Sequence, residues 1–170
     1  MRLAIVTASL VLAAAPALAA APPPKACTAA QNRQLDFWVG KWDVYAKAAP
    51  DKLVAHSLIE SKWDGCAVRE NWMPLTNAGG GSISSYDPIT KNWRQFWADA
   101  QGGSALFNGG FDGKSMVLTG VWPQPGHPKQ MTRMSYTRLA DGSVEQLGVT
   151  SDDNGKTWQP SFDFIYRKAK

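Results

Sequence analysis

The residues best suited to chemistry are polar groups set among tryptophans at two-residue spacing. Glu70 alternates with Val68 and Trp72, and Gln95 with Trp93 and Trp97. In an extended chain, residues two apart point to the same side, so each polar group shares a face with aromatic rings. A carboxylate drawn into an aromatic interior needs a partner. Arg133, on the alternating run Met131-Arg133-Ser135, is one candidate, and Gln95 and Gln146 are others. Such a cluster could fix the polar head of an amphipathic ligand or serve acid/base chemistry. The competing reading is a structural buried pair or an outward-facing strand. The expected ligand-lining set is therefore Glu70, Trp72, Gln95, Trp97 and Arg133.

A second carboxylate lies near a histidine. Val54, His56, Leu58 and Glu60 share one face of a segment, and His56 with Glu60 could form an acid/base pair if that face is inward. The opposite face, Leu53, Ala55, Ser57, Ile59 and Ser61, is equally suited to a core. His127, between Gly126 and Pro128, belongs to a solvated loop. No Gly-x-Ser-x-Gly elbow, His-Glu-x-x-His helix or phosphate-binding loop occurs, and Gly79-Gly80-Gly81-Ser82 lacks the lysine and helix that such a loop requires. No catalytic residue is assigned. The two cysteines and two histidines lack zinc-site spacing, so no metal or cofactor is expected, and haem ligation by His56 has no supporting motif.

These side chains must be positioned by strands. After Gly40 the chain runs in short β-branched and aromatic stretches, broken by turn signals such as Asp87-Pro88, Asp112-Gly113, Asp141-Gly142 and Asp153-Asn154-Gly155. About ten strands lie between the turns, and short loops imply antiparallel neighbours. The eight tryptophans suit the wide interior of an up-and-down barrel more than a thin sandwich. Residues 31–39 form a short helical lead. Ser151-Asp152-Asp153-Asn154-Gly155-Lys156-Thr157-Trp158 matches an Asp-box. Its physical content is a hairpin in which Asp153 accepts backbone N–H groups, Gly155 takes positive φ and Trp158 packs beneath.

The N-terminus reads as an export signal: Met1-Arg2, an apolar stretch from Leu3 to Ala15, then Ala17-Leu18-Ala19. Thirteen apolar residues fall short of the roughly 20 of a membrane-spanning helix. The expected organisation is a signal peptide at 1–19, a flexible Ala/Pro-rich leader at 20–30 and one β-barrel domain at 31–170, in a periplasmic or secreted protein. Arg2 is the only charge in residues 1–19, so the remainder carries 17 basic and 14 acidic side chains, a net charge of +3. That scattered excess gives no nucleic-acid footprint, and no membrane association is expected after cleavage. In an oxidising compartment Cys27 and Cys66 are expected to pair.

Gly40-Lys41-Trp42, opening the first strand after the helical lead, resembles the Gly-x-Trp signature of the calycins, the lipocalin and fatty-acid-binding barrels. In that group an arginine near the end of the barrel lies across the tryptophan. The resemblance implies that Arg167, in Phe164-Ile165-Tyr166-Arg167, covers Trp42. The succession Leu35 to Trp42, Asp64-Gly65-Cys66 with Glu70-Asn71-Trp72, Tyr86-Asp87-Pro88 with Trp93-Arg94-Gln95, and Thr150 to Trp158 is similar to a family of secreted bacterial proteins known only as a domain of unknown function. That likeness implies an exported barrel and supplies no activity. The reading carried forward is a barrel that takes a small amphipathic or apolar molecule in a Trp-lined interior. The alternatives are a periplasmic hydrolase or isomerase using inward carboxylates, or a structural or interaction module. The oligomeric state is open.

Overall fold

A computed structural model describes residues 27–170, so the expected signal peptide at 1–19 and positions 20–26 of the expected leader lie outside the described residues. Ten strands follow one another: β1 (Gly40–Ala46), β2 (Ala49–Lys62), β3 (Ala67–Pro74), β4 (Gly80–Asp87), β5 (Asn92–Asp99), β6 (Ser104–Phe111), β7 (Ser115–Val121), β8 (Met131–Arg138), β9 (Val144–Ser151) and β10 (Gln159–Lys168). Each pairs antiparallel with the next, and β10 returns to β1, closing the sheet into a barrel. The fold is the all-β, up-and-down barrel that the turn spacing implies.

Four of the hairpins are built by aspartates. Asp87 accepts the amides of Ile89 and Thr90, Asp99 those of Gln101 and Gly103, Asp112 those of Lys114 and Ser115, and Asp141 that of Ser143. A side-chain carboxylate two to four residues ahead of a free N–H replaces the ladder bond that a turn must give up. These bonds hold the carboxyls of Asp87 and Asp112 below their ordinary range, and the Ser143 hydroxyl with its amide does the same for Asp141.

One end of the barrel is plugged by the lead. Two 3-10 turns, Ala30–Arg33 and Asp36–Trp38, drive Leu35 and Trp38 into the core, where both are fully buried. The Trp38 ring lies 4.7 Å from Tyr136 and 6.0 Å from Tyr166, and its carbonyl accepts the Trp42 indole N–H at 2.7 Å. A Cys27–Cys66 disulfide ties the lead to the Trp63–Gly65 turn and the start of β3, and Arg33 donates to the Gly65 carbonyl. The expected pairing of the two cysteines is present.

The cation over Trp42 is Lys168, not Arg167. The Lys168 ammonium sits 3.8 Å from the Trp42 ring centroid and donates to the Val39 carbonyl at 3.0 Å, whereas Arg167 lies 4.5 Å over Tyr45 and donates to Pro50 O. The reason is strand parity. Tyr166 is buried and faces inward, so Arg167 must point out and Lys168 turns in again at the rim. Gly40 fits the same corner: its φ of +151° suits glycine, and a Cβ there would overlap the Lys168 side chain.

Candidate ligand cavity

Inside the barrel lies a cavity of about 220 Å³. Its floor, towards the plugged end, is polar and buried: Glu70, Gln95, Tyr136, Gln146 and Tyr166. Two residues further along each strand, towards the opposite end, the walls become aromatic and half-exposed. Trp72 follows Glu70 on β3, Trp97 follows Gln95 on β5, and Phe164 and Phe162 precede Tyr166 on β10. Trp122, just beyond β7, completes the wall, 5.9 Å from Trp97 and 6.0 Å from Phe107. Phe162 stacks on Phe164 at 5.3 Å, and Trp72 meets Phe164 at 5.6 Å. Gly148 on β9 makes this possible, because a Cβ there would collide with the Phe162 ring.

Glu70 is 5% exposed. Its carboxyl accepts the Ser82 hydroxyl at 2.9 Å and, more loosely, that of Ser57 at 3.5 Å. Among the described residues no basic side chain comes within ion-pairing distance of it. Burial outweighs the two hydroxyls and pushes its pKa up to about 7. Beside it runs a chain of neutral groups. Gln95 donates to Ser84 at 3.1 Å and to the Tyr136 hydroxyl at 3.3 Å, Gln146 donates to that hydroxyl at 3.2 Å, and Tyr166 donates to Gln146 Oε1 at 2.6 Å. Both tyrosine pKa values are pushed above the ordinary value, first by burial and then by the charge of Glu70, so the phenols stay neutral. The Tyr136 oxygen accepts from two amides, while its own proton has only long contacts, 3.4 Å to Gln95 Oε1 and 3.6 Å to Met134 sulfur. The floor thus offers an acceptor at Glu70 and an under-used donor at Tyr136.

Four of the five expected lining residues, Glu70, Trp72, Gln95 and Trp97, border this cavity. Arg133 does not. It points outward and stacks 4.3 Å over the Trp158 ring. On β8 the buried residues are Thr132, Met134 and Tyr136. Placing Arg133 inside would expel Met134 and Tyr136, and burial of those two apolar bodies decides the register. The interior carboxyl is therefore met by serines in place of the anticipated arginine. Outside the expected set, Phe107, Trp122, Met134, Tyr136, Phe162, Phe164 and Tyr166 also line the cavity. Thr132-Met134-Tyr136 carried the signal, since its alternate residues are the bulkier apolar set.

His56 is on the outer face, 2.7 Å from Asp43, while Ala55, Ser57 and Ile59 face inward. Glu60 is also outside, paired with Lys62 and Arg69. The histidine and the interior carboxyl are thus on opposite sides of the sheet. His127 is in an exposed loop, 3.0 Å from Asp152. The Asp-box is the β9–β10 hairpin. Asp153 accepts the amides of Lys156 and Thr157 and the hydroxyls of Ser151 and Thr157, bonds that hold its pKa near 2. Gly155 has φ +81°, and its carbonyl accepts the Trp158 indole N–H at 3.0 Å. The motif is far from the cavity floor and organises a turn. Among the described residues no group of three or more His, Cys, Asp or Glu side chains is placed to hold a metal ion. Neither protein-family models nor curated protein sequences give a match to this chain.

Proposed function

We propose that the barrel binds one small, largely apolar or aromatic molecule with a single polar head. The carrying observation is the gradient inside the cavity, from half-exposed aromatic walls to a buried polar floor. A volume of about 220 Å³ is below the roughly 300 Å³ at which drug-sized pockets begin, so a single ring or a short chain suits it better than a long-chain lipid. The disulfide belongs to an oxidising compartment, and with the N-terminal signal it supports a periplasmic or secreted place of work. The plugged antiparallel barrel with Gly40-Lys41-Trp42 at its base supports a calycin-like reading and the likeness to the secreted bacterial family. The hydrolase or isomerase alternative loses its acid/base pair, because His56 lies outside. Titration of tryptophan fluorescence with benzyl alcohol and with n-hexanol tests the reading. Saturable quenching that is lost in Trp97→Ala is expected; a linear response to both probes would contradict it.

A second reading has its own observation. Ile83, Phe96, Leu106 and Val121 are directly paired neighbours across β4, β5, β6 and β7, and all four are about half exposed on the outer face. The row is flanked by Gly81, Ala98, Ser104, Asn108 and Thr119, with Arg69 paired directly to Ile83 and Arg94 two residues before Phe96. Both arginines are ion-paired within their own chain, Arg69 to Glu60 and Arg94 to Asp87, so two copies could meet here with the row as the dry centre of an interface of about 800 Å² per partner. Sedimentation velocity checks it: a concentration-dependent dimer that Phe96→Ser abolishes is expected, and a monomer at all concentrations rejects it.

A further inference from the structure

We propose that the molecule taken by this cavity carries a cationic nitrogen, so that the barrel is a receptor for a small aryl or alkyl ammonium compound and discriminates against carboxylates. The inference rests on the ligand-binding reading above and names the head group. Three features of the interior converge on it.

The first is the lone carboxyl. Glu70 is buried at the cavity floor, and among the described residues its partners are the Ser82 and Ser57 hydroxyls. A buried acid without a counter-ion is costly in its charged form, and a cation entering the cavity supplies the missing charge. The second is the wall. Trp72, Trp97 and Trp122, with Phe162 and Phe164, present aromatic rings to the same space, and ring faces attract cations, tryptophan most strongly. The third is the sign of everything else that lines the space. Among the described residues no lysine, arginine or histidine borders the cavity, and Arg133 stands outside. A carboxylate ligand would meet Glu70 with no compensating cation, whereas an ammonium would donate to Glu70.

The groups facing Glu70 do not compete for this role. Ser57 on β2 and Ser82 on β4 are neutral, Tyr136 on β8 and Tyr166 on β10 stay protonated, and Gln95 and Gln146 do not titrate. The ionisable partner within the floor is Glu70 alone among the described residues that line it. Burial holds that carboxyl largely protonated in mildly acidic solution. Capture of a cation then requires its proton to leave to solvent, and the pairing is an ammonium with a carboxylate in both acidic and alkaline media.

The experiment compares three probes of one chain length, n-hexylammonium, n-hexanol and hexanoate, by isothermal titration calorimetry in buffers of different ionisation enthalpy. At about pH 8.5 the ammonium should bind at least about tenfold more tightly than the alcohol, with hexanoate weakest, the ratio that one well-placed charge interaction gives. At about pH 5.5, binding of the ammonium should release close to one proton per molecule bound, and the alcohol none. Glu70→Gln should reduce the preference for ammonium to less than about threefold and abolish the proton release. Equal or tighter binding of hexanol or hexanoate overturns the ammonium inference and leaves the cavity as an apolar ligand site. A preference for ammonium that survives in Glu70→Gln also overturns it. Failure of all three probes to bind the folded wild-type protein overturns both readings. Proton release is measured on the wild-type protein, so the test does not depend on the variant folding.

Discussion

A carboxyl that ionises near neutrality makes the stability of the barrel fall with pH in a defined window. Unfolded, Glu70 titrates near its ordinary 4.5; folded, burial raises it to about 7. Between these values the unfolded chain has lost a proton that the folded chain keeps, so stability declines as pH rises from about 4.5 to about 7 and is flat above. The linkage is worth on the order of 3 kcal/mol. Glu70→Gln keeps a group that the serine hydroxyls can bond and removes the ionisation. Urea unfolding should find this variant more stable than wild type by about 3 kcal/mol near pH 8 and equal to it near pH 4. Equal stability at both values would mean that Glu70 is hydrated or paired in solution. The position of Glu70 was legible because Val68, Glu70 and Trp72 share one parity, and two bulky apolar neighbours determine which way the strand faces. Its partners were not legible: Ser57 and Ser82 come from β2 and β4, and only the registers Ile59↔Glu70 and Glu70↔Ser82 bring those strands beside it.

At the scale of single strands, alternation is a strong guide to which residues share a face and a weak guide to which face is in. On β5 the set Trp93, Gln95 and Trp97 stands against Arg94, Phe96 and Ala98, and the two tryptophans outweigh the one phenylalanine, which is left half exposed outside. On β8, Met131 beside Arg133 narrows the contrast with the bulkier set Thr132-Met134-Tyr136. The outcome is settled by Trp158, which offers Arg133 an aromatic face outside, and by Tyr136, which packs on Trp38 within. The end of β10 follows the same rule, and it yields a prediction. Lys168→Ala should destabilise the protein by about 1–2 kcal/mol, the sum of a cation–π contact and a hydrogen bond, while Arg167→Ala should cost less than about half as much, since its ring partner Tyr45 is partly exposed where Trp42 is buried. Chemical denaturation of the two variants ranks them. The reverse order would show that the base is held by Arg167.

For the molecule as a whole, closure of the barrel and the plug beneath it are coupled. Ten short strands and their aspartate turns were readable from the chain, since each hairpin is local. The plug was readable only in outline: Leu35 and Trp38 show an apolar lead, but nothing in their spacing says that Trp38 will reach Tyr136 on β8 and Tyr166 on β10. The disulfide ties this lead down across a separation of 39 residues. By loop-closure entropy, removing it with Cys27→Ser and Cys66→Ser together should lower stability by about 4 kcal/mol. Thermal unfolding followed by near-ultraviolet circular dichroism measures that loss, and it should leave the β-sheet signal of the folded protein unchanged.

Met134 is the best reporter of ligand in the barrel interior. Met134 lines the cavity, Met116 is buried elsewhere in the core, and Met73 is exposed. In protein carrying carbon-13 methyl groups on methionine, titration with n-hexylammonium or benzyl alcohol should move the Met134 methyl resonance saturably and leave that of Met73 in place. A Met134 signal that stays fixed at saturating probe, or a shift confined to Met73, would contradict the account.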